Sequence, residues 1–135
     1  MALLWSSERA TPDRVRAEVL AAIYRTRYLQ QHALPKTLGQ MMQQEGLAAV
    51  FADLAQPVFS SADLAALRTA IDPYRGSAHF PTAFACLYGD DAARVVGYPP
   101  LGLPTLAGFA LAADEIRRRK LSPEAALLNA APPVR

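Results

Sequence analysis

Residues 11–31 read TPDRVRAEVLAAIYRTRYLQQ, and the first three of them are typical of a helix start. Thr11 can accept a backbone N–H as an N-cap, and Pro12 at the first helical position lacks only a hydrogen that would have no partner. Asp13 then meets the positive end of the helix dipole. Residues 122–124, which read SPE, repeat this order, so the sequence predicts a helix at each place.

Apolar residues of this first helix form two stripes on opposite sides. A helix with two apolar stripes contacts structure on both sides. We therefore expect it to be the central helix of the domain or part of an oligomer contact. One stripe consists of Val15, Val19, Ala22, Ile23 and Thr26, and the other of Leu20, Tyr24 and Tyr28.

Further helices are predicted because apolar residues recur at helical spacing between proline and glycine stops. Gly46 is a candidate break in the second helix, and residues 94–98 are the only strand candidate. Residues 97–104, GYPPLGLP, cannot form regular helix, since proline fixes φ and lacks a donor. The predicted helical segments run from residue 38 to about 55, from about 105 to 120 and from 123 to 129. Between them, one helix is marked by Leu64, Leu67 and Ile71, and another, marked by Phe80, Phe84, Leu87 and Tyr88, is predicted to start near Pro81.

The predicted fold is therefore a compact, all-α single domain. We expect about five to seven helices, several of them short, with a proline-rich irregular loop around residues 97–104. The predicted organisation is an N-terminal arm at residues 1–10, a helical domain at 11–129 and a C-terminal tail at 130–135.

The composition fits one ordinary domain. The chain has 135 residues, of which 52% are hydrophobic and 19% charged, with a formal net charge of +2. No secretory signal is visible, and the apolar runs are too short to span a membrane. The single cysteine suits a cytoplasmic location, and the abundance of alanine and arginine is typical of a GC-rich bacterial genome.

No motif predicts a catalytic residue, a cofactor or a metal ion. His32, His79 and Cys86 do not have metal-ligand spacing, and Cys86 lies in an apolar segment typical of a core. The adjacent acidic pairs, residues 90–91 and 114–115, are not catalytic dyads by sequence alone, because neighbours on a helix point about 100° apart. No glycine-rich phosphate-binding loop is present.

The leading functional hypothesis is a non-catalytic protein-interaction module: an adaptor, an accessory subunit or a regulatory partner. Low overall charge favours at least one buried interface, with another protein or with a second copy. The predicted apolar anchors are Trp5 on the arm, Tyr24 and Tyr28 on the second stripe, and Tyr98 and Leu101 in the loop. The alternatives are that the arm carrying Trp5 folds back onto its own domain and that the apolar residues of the loop seal the core.

The alternative hypothesis is nucleic-acid binding through a compact basic run near the end of the chain. These cations could neutralise phosphates, alone or together with Arg14 and Arg25, or they could complement the C-terminal end of a helix dipole. A helix-turn-helix match at residues 38–55 is poor. The run consists of Arg117, Arg118, Arg119 and Lys120.

A third hypothesis is a small enzyme or a ligand-binding domain with an aromatic pocket. Aromatic residues at helical spacing are more often part of a core than of a ligand site. The residues that could line such a pocket are Phe80, Phe84, Tyr88, Tyr98 and Phe109.

Overall fold

The computed structural model describes residues 11–128, and every regular element in that range is helical. The predicted all-α fold is confirmed. The predicted arm and tail, residues 1–10 and 130–135, lie outside the described residues. Seven α-helices follow one another: α1 Pro12–Gln31, α2 Leu38–Ala52, α3 Ser61–Ile71, α4 Phe80–Tyr88, α5 Asp90–Val95, α6 Ala107–Arg118 and α7 Pro123–Leu128, with a 3₁₀ turn of Asp72–Tyr74 after α3.

Side chains cap the first three helices. The Thr11 hydroxyl caps α1 by accepting a backbone N–H at 3.1 Å. At the start of α2, the Thr37 hydroxyl accepts the Gln40 N–H while the Gln40 side chain accepts the Thr37 N–H, both at 3.2 Å. Ser60 and Asp63 form the same reciprocal arrangement at the start of α3. These bonds satisfy donors that a helix end leaves unpaired, and they explain why the helix starts follow the sequence.

The second helix differs from its prediction in two ways. It passes through Gly46 without a break, and it ends at Ala52 rather than near residue 55. The end is set by Asp53, which adopts a left-handed conformation with φ of +52°. Gly46 has a packing role instead, because a Cβ atom there would lie 2.6 Å from the backbone oxygen of Ala112 in α6.

Gly89 ends α4 and precedes α5. Its φ of +93° is one that residues with a side chain rarely adopt, and a Cβ there would lie 2.3 Å from the backbone oxygen of Pro104. The chain therefore turns into α5, and the predicted strand candidate at residues 94–98 is wrong, because α5 and a turn occupy it.

The central helix is α6, which contacts α2, α3 and α4. One side of α1 packs on α2 and α7, so α1 lies at the edge of the domain rather than at its centre. Gly108 brings α6 close to α4, since a Cβ there would lie 2.6 Å from the backbone oxygen of Cys86.

Two clusters of buried residues form the core. The first lies among α2, α3, α4 and α6, and the second lies where α1 and α7 cover α2 and the end of α6. The first cluster contains Leu38, Met42, Leu67, Ile71, Ala83, Cys86, Leu87, Leu103, Ala107, Leu111 and Ala112. The second contains Ala21, Tyr24, Tyr28, Leu47, Ala48, Ala52 and Ile116.

Residues 97–104 form turns and bends without a helix, held by one carboxylate. Asp90 Oδ1 accepts hydrogen bonds from the backbone N–H groups of Leu101, Gly102 and Leu103 at 3.1, 2.9 and 2.9 Å. The Asp90 N–H in turn donates to the Leu103 oxygen at 3.0 Å. The loop is therefore fastened to the first turn of α5.

Within residues 11–128, no helix is long and apolar enough to cross a membrane.

Candidate functional site

The two tyrosines predicted as partner anchors are core residues. Tyr24 and Tyr28 are 1% and 4% exposed. The Tyr24 hydroxyl donates a 2.7 Å hydrogen bond to the Pro123 oxygen, and the Tyr28 ring stacks on His32 with centroids 4.0 Å apart. Burial raises the pKa of both hydroxyls. While α1 stays packed on α2 and α7, neither tyrosine offers surface to a partner.

The two predicted anchors of the proline-rich loop are half-buried. Leu101 packs against the first core cluster, and the Tyr98 ring meets Phe84 edge-on with centroids 5.4 Å apart. The loop therefore closes over the helices beneath it, which was the alternative to a free binding loop. Trp5, the remaining predicted anchor, lies outside the described residues.

The other stripe of α1 faces outward. Val15, Val19 and Ile23 are 39%, 47% and 52% exposed, and they follow one another at four-residue spacing along one helix face. This row of β-branched side chains contrasts with the buried tyrosines on the opposite face. Within residues 11–128, α2 and α7 pack on one side of this helix, and the apolar strip lies on the other.

Arginines flank this strip on one side. Arg16 and Arg27 are exposed and lie eleven residues, or about three turns, apart, so they project from the same flank of α1. Neither makes an ion pair with another residue of the described range. By contrast, Arg25 on the opposite flank is held by Glu45, with nitrogen–oxygen distances of 2.9 to 3.0 Å.

The basic run, residues 117–120, lies at the C-terminal end of α6, and all four of its side chains are exposed. Arg118 Nη1 lies 3.8 Å from Asp114 Oδ2, one turn earlier. Arg117, Arg119 and Lys120 make no ion pair with other residues in the described part of the chain. Their position fits a favourable interaction with the C-terminal end of the helix dipole.

A carboxylate of α6 ties this end to α3. Glu115 accepts hydrogen bonds from Arg75 Nη1 and Nη2 at 3.0 and 2.8 Å and from Arg68 Nε at 3.2 Å. The bidentate pairing of Arg75 with Glu115 is among the stronger kinds of charge-assisted hydrogen bonding. Asp114 also lies 3.6 Å from Arg68, and Asp72 lies 2.7 Å from Arg75, so each arginine has carboxylate partners and does not extend the basic surface.

A cleft of about 400 Å³ lies between α1, α2 and α4. One wall is aromatic: Phe84 stacks on Tyr88 with centroids 4.5 Å apart, and Phe109 of α6 meets Tyr88 edge-on at 4.8 Å. Phe80, which also lines the cleft, is 56% exposed. Four of the five residues predicted for an aromatic pocket thus line one cleft, while Tyr98 supports Phe80 and Phe84 from outside the lining.

The facing wall of the cleft is charged. It includes Glu18 and the Arg25–Glu45 ion pair. Burial raises the pKa of the Tyr88 hydroxyl, and Glu45 and Glu18 raise it further, whereas Arg25 lowers it. The cleft therefore combines aromatic surface with a carboxylate-bearing wall.

The thiol and the histidines have structural surroundings. Burial raises the pKa of Cys86 to about 11, so the thiol stays protonated, unlike a reactive thiolate. His32 Nε2 bonds the Ala126 oxygen at 2.7 Å, and His79 Nδ1 bonds the Thr82 hydroxyl at 3.0 Å. Among the described residues, no group of three or more histidine, cysteine, aspartate or glutamate side chains is placed to hold a metal ion.

Helix projection places Arg16 and Arg27 between the two apolar stripes of α1, and both side chains are exposed there. Sequence reasoning missed the charged wall of the cleft, since Glu18 and Glu45 come together only through the packing of α1 on α2.

Comparison of the chain with protein-family models, with curated proteins and with solved structures gave no match.

Proposed function

We propose that the protein is a non-catalytic interaction module, an adaptor or accessory subunit, that binds another protein through α1. The observation that carries this proposal is the exposed strip of Val15, Val19 and Ile23 on a helix whose opposite face is buried. Covering apolar side chains of this kind removes surface from water, at about 25 cal/mol per Å².

The flanking charges favour one kind of partner: an amphipathic helix whose apolar face is bordered by acidic residues. Arg16 and Arg27 leave positive charge beside the strip, which acidic side chains would complement. Helix recognition by apolar side chains one turn apart is a common mode of binding.

The same charges disfavour an antiparallel pairing of α1 with a second copy. In a two-fold contact the same flanks face each other, so Arg16 and Arg27 would meet the identical arginines of the partner. Like charges at such spacing are destabilising. Self-association through another surface stays a hypothesis, as does the location in a bacterial cytoplasm, which rests on composition alone.

The test is site-specific photo-crosslinking in cells of the organism that encodes the chain. A photoreactive amino acid in place of Val19 should give one discrete adduct, whereas the same group in place of the exposed Ala66 on α3 should give none. The double charge reversal R16E/R27E should abolish the Val19 adduct, and reversing acidic residues of the crosslinked protein should restore it.

Three results would contradict the proposal. An adduct of twice the chain's mass would identify a second copy as the occupant. An adduct that forms equally from Val19 and Ala66, or that ignores the charge of Arg16 and Arg27, would show that the strip has no specific partner.

The second candidate function is nucleic-acid binding at the basic end of α6. It is favoured by the exposure of Arg117, Arg119 and Lys120, which have no ion-pair partner in the described range. Binding of a DNA or RNA oligonucleotide should weaken steeply with salt, and R117E/R119E should reduce that slope. Binding that is unaffected by the double variant would exclude this surface.

A further inference from the structure

The aromatic cleft has the dimensions and chemistry of a small-molecule site separate from the α1 strip. Its volume of about 400 Å³ falls in the range of about 300 to 1,000 Å³ that is usual for ligand pockets. The Tyr88 ring contacts the rings of both Phe84 and Phe109, so the three form a continuous apolar wall. Apolar walls with a few convergent polar groups are the usual composition of such sites.

The charges of the facing wall decide which ligands fit. Two arginines and two glutamates line the cleft: Arg25 pairs with Glu45, and Arg14 and Glu18 are the other two. Glu18 makes no ion pair with any residue in the described part of the chain, so its carboxylate is available to pair with a positively charged ligand. At the Tyr88 hydroxyl, which lies in the cleft, Glu45 and Glu18 raise the pKa and Arg25 lowers it.

We propose that this cleft binds a small organic cation with an apolar body, its ammonium group between the Glu18 carboxylate and the aromatic wall. Aromatic faces carry negative quadrupole density and attract ammonium groups, so the two walls favour the same charge. The apolar body would cover Phe84 and Phe109. Since these residues lie outside the strip of Val15, Val19 and Ile23, the cleft and the strip can be tested separately.

The probe is phenethyltrimethylammonium, titrated into the full chain by calorimetry and by amide chemical shifts. We expect saturable binding with a Kd in roughly the millimolar range or tighter, given the size of the probe. Shift changes should concentrate on α4 and on the first half of α1. The uncharged isostere with carbon in place of nitrogen should bind about five- to thirtyfold more weakly, and a phenylalkyl carboxylate should not bind.

Variants locate the site. E18Q should weaken binding of the cation at least about fivefold, because it removes one charge contact while keeping the side chain's shape. F84L should weaken it as well. D91N alters a carboxylate exposed on α5 and is the matched control, with unchanged binding expected. V19S, which removes apolar surface from the α1 strip without adding a charge beside Glu18, should also leave cation binding unchanged.

Three outcomes would overturn this proposal. They are no saturable binding of the cation, binding of the carboxylate as tight as that of the cation, and an unchanged Kd in E18Q. None of these outcomes bears on the partner binding proposed for α1, because that proposal is tested by crosslinking at Val19.

Discussion

A Cβ atom on Gly46 would lie 2.6 Å from the backbone oxygen of Ala112 and 2.8 Å from a side-chain carbon of Ile116. The α2 and α6 backbones therefore cross almost in contact, and no side chain larger than hydrogen fits between them. This crossing joins the two core clusters, since α2 and α6 contribute residues to both.

Gly46→Ala should lower the free energy of unfolding by about 1–3 kcal/mol, because backbone atoms must move apart to admit the methyl group. An exposed helical glycine would show the opposite sign, since alanine is the better helix former. The matched control is Gly76→Ala, where a Cβ would meet nothing within 4 Å and φ is not left-handed. Urea unfolding of both variants measures the difference, and equal midpoints would contradict the close crossing.

Tyr24→Phe should lower the free energy of unfolding by about 1–2 kcal/mol, since it removes the bond to the Pro123 oxygen and leaves that acceptor without its donor. Tyr28→Phe is the control, because the Tyr28 hydroxyl bonds no other described residue. Thermal unfolding with amide shifts of α7 would report both changes. A larger loss in Tyr28→Phe would show that the hydroxyl of Tyr24 does not hold α7.

Alkaline pH should destabilise the protein partly through Cys86. Its pKa is raised from 9.0 to about 11 by burial, so between these values the thiol ionises in the unfolded chain before it ionises in the folded one. The contribution of the protonated Cys86 thiol to the free energy of unfolding is fully present below pH 9 and is lost as pH rises to 11. Between pH 8 and pH 10 the free energy of unfolding should therefore fall by about 1 kcal/mol less in Cys86→Ala than in the parent chain. Urea unfolding at the two pH values measures the difference.

The same burial predicts slow chemistry at this thiol. Iodoacetamide at pH 8 should modify Cys86 only as fast as the chain unfolds, because the reactive species is the thiolate. Rapid labelling of the folded protein would contradict the buried position.

Asp90→Asn should loosen residues 101–103 and flatten the acid dependence of stability. Hydrogen bonds from the backbone N–H groups of Leu103, Leu101 and Gly102 lower the pKa of Asp90 below its ordinary 3.8, with a smaller contribution from Arg94. The stability that it contributes is present above pH 3.8 and is lost as pH falls through the lowered value.

Unfolding midpoints between pH 2 and pH 6 would measure the effect of Asp90→Asn. Asp91→Asn changes the neighbouring exposed carboxylate, whose contact with Arg94 is 3.4 Å long, and should behave as the parent chain does. Identical acid profiles for Asp90→Asn and Asp91→Asn would mean that the loop is not fastened by Asp90.

Helix starts were predictable because capping is local. Thr11, Thr37 and Ser60 each act within three residues of themselves, and a short window of sequence contains the whole arrangement. Gly46 was different, because its role is set by Ala112, which is distant in the chain. Sequence propensity marks glycine as a helix breaker, and tertiary packing turned it into a crossing point.

The candidate sites, like the helices, were predictable only where a local sequence pattern encodes them. Periodicity revealed two apolar stripes on α1, but which stripe is buried depends on where α2 and α7 pack. The aromatic wall followed from the four-residue spacing of Phe80, Phe84 and Tyr88. The charged wall required α1 and α2 to bring Glu18 and Glu45 together, and no local pattern encodes that.

The division of the core into two clusters implies two levels of opening. If α1 and α7 detach, the second cluster loses its cover while the first keeps its contacts among α3, α4 and α6. Amide hydrogens of α1 and α7 should therefore exchange with solvent sooner than those of α6. In that partly opened form Tyr24 and Tyr28 would become accessible, so a residue buried in the resting protein could still meet a partner that captures the opened form.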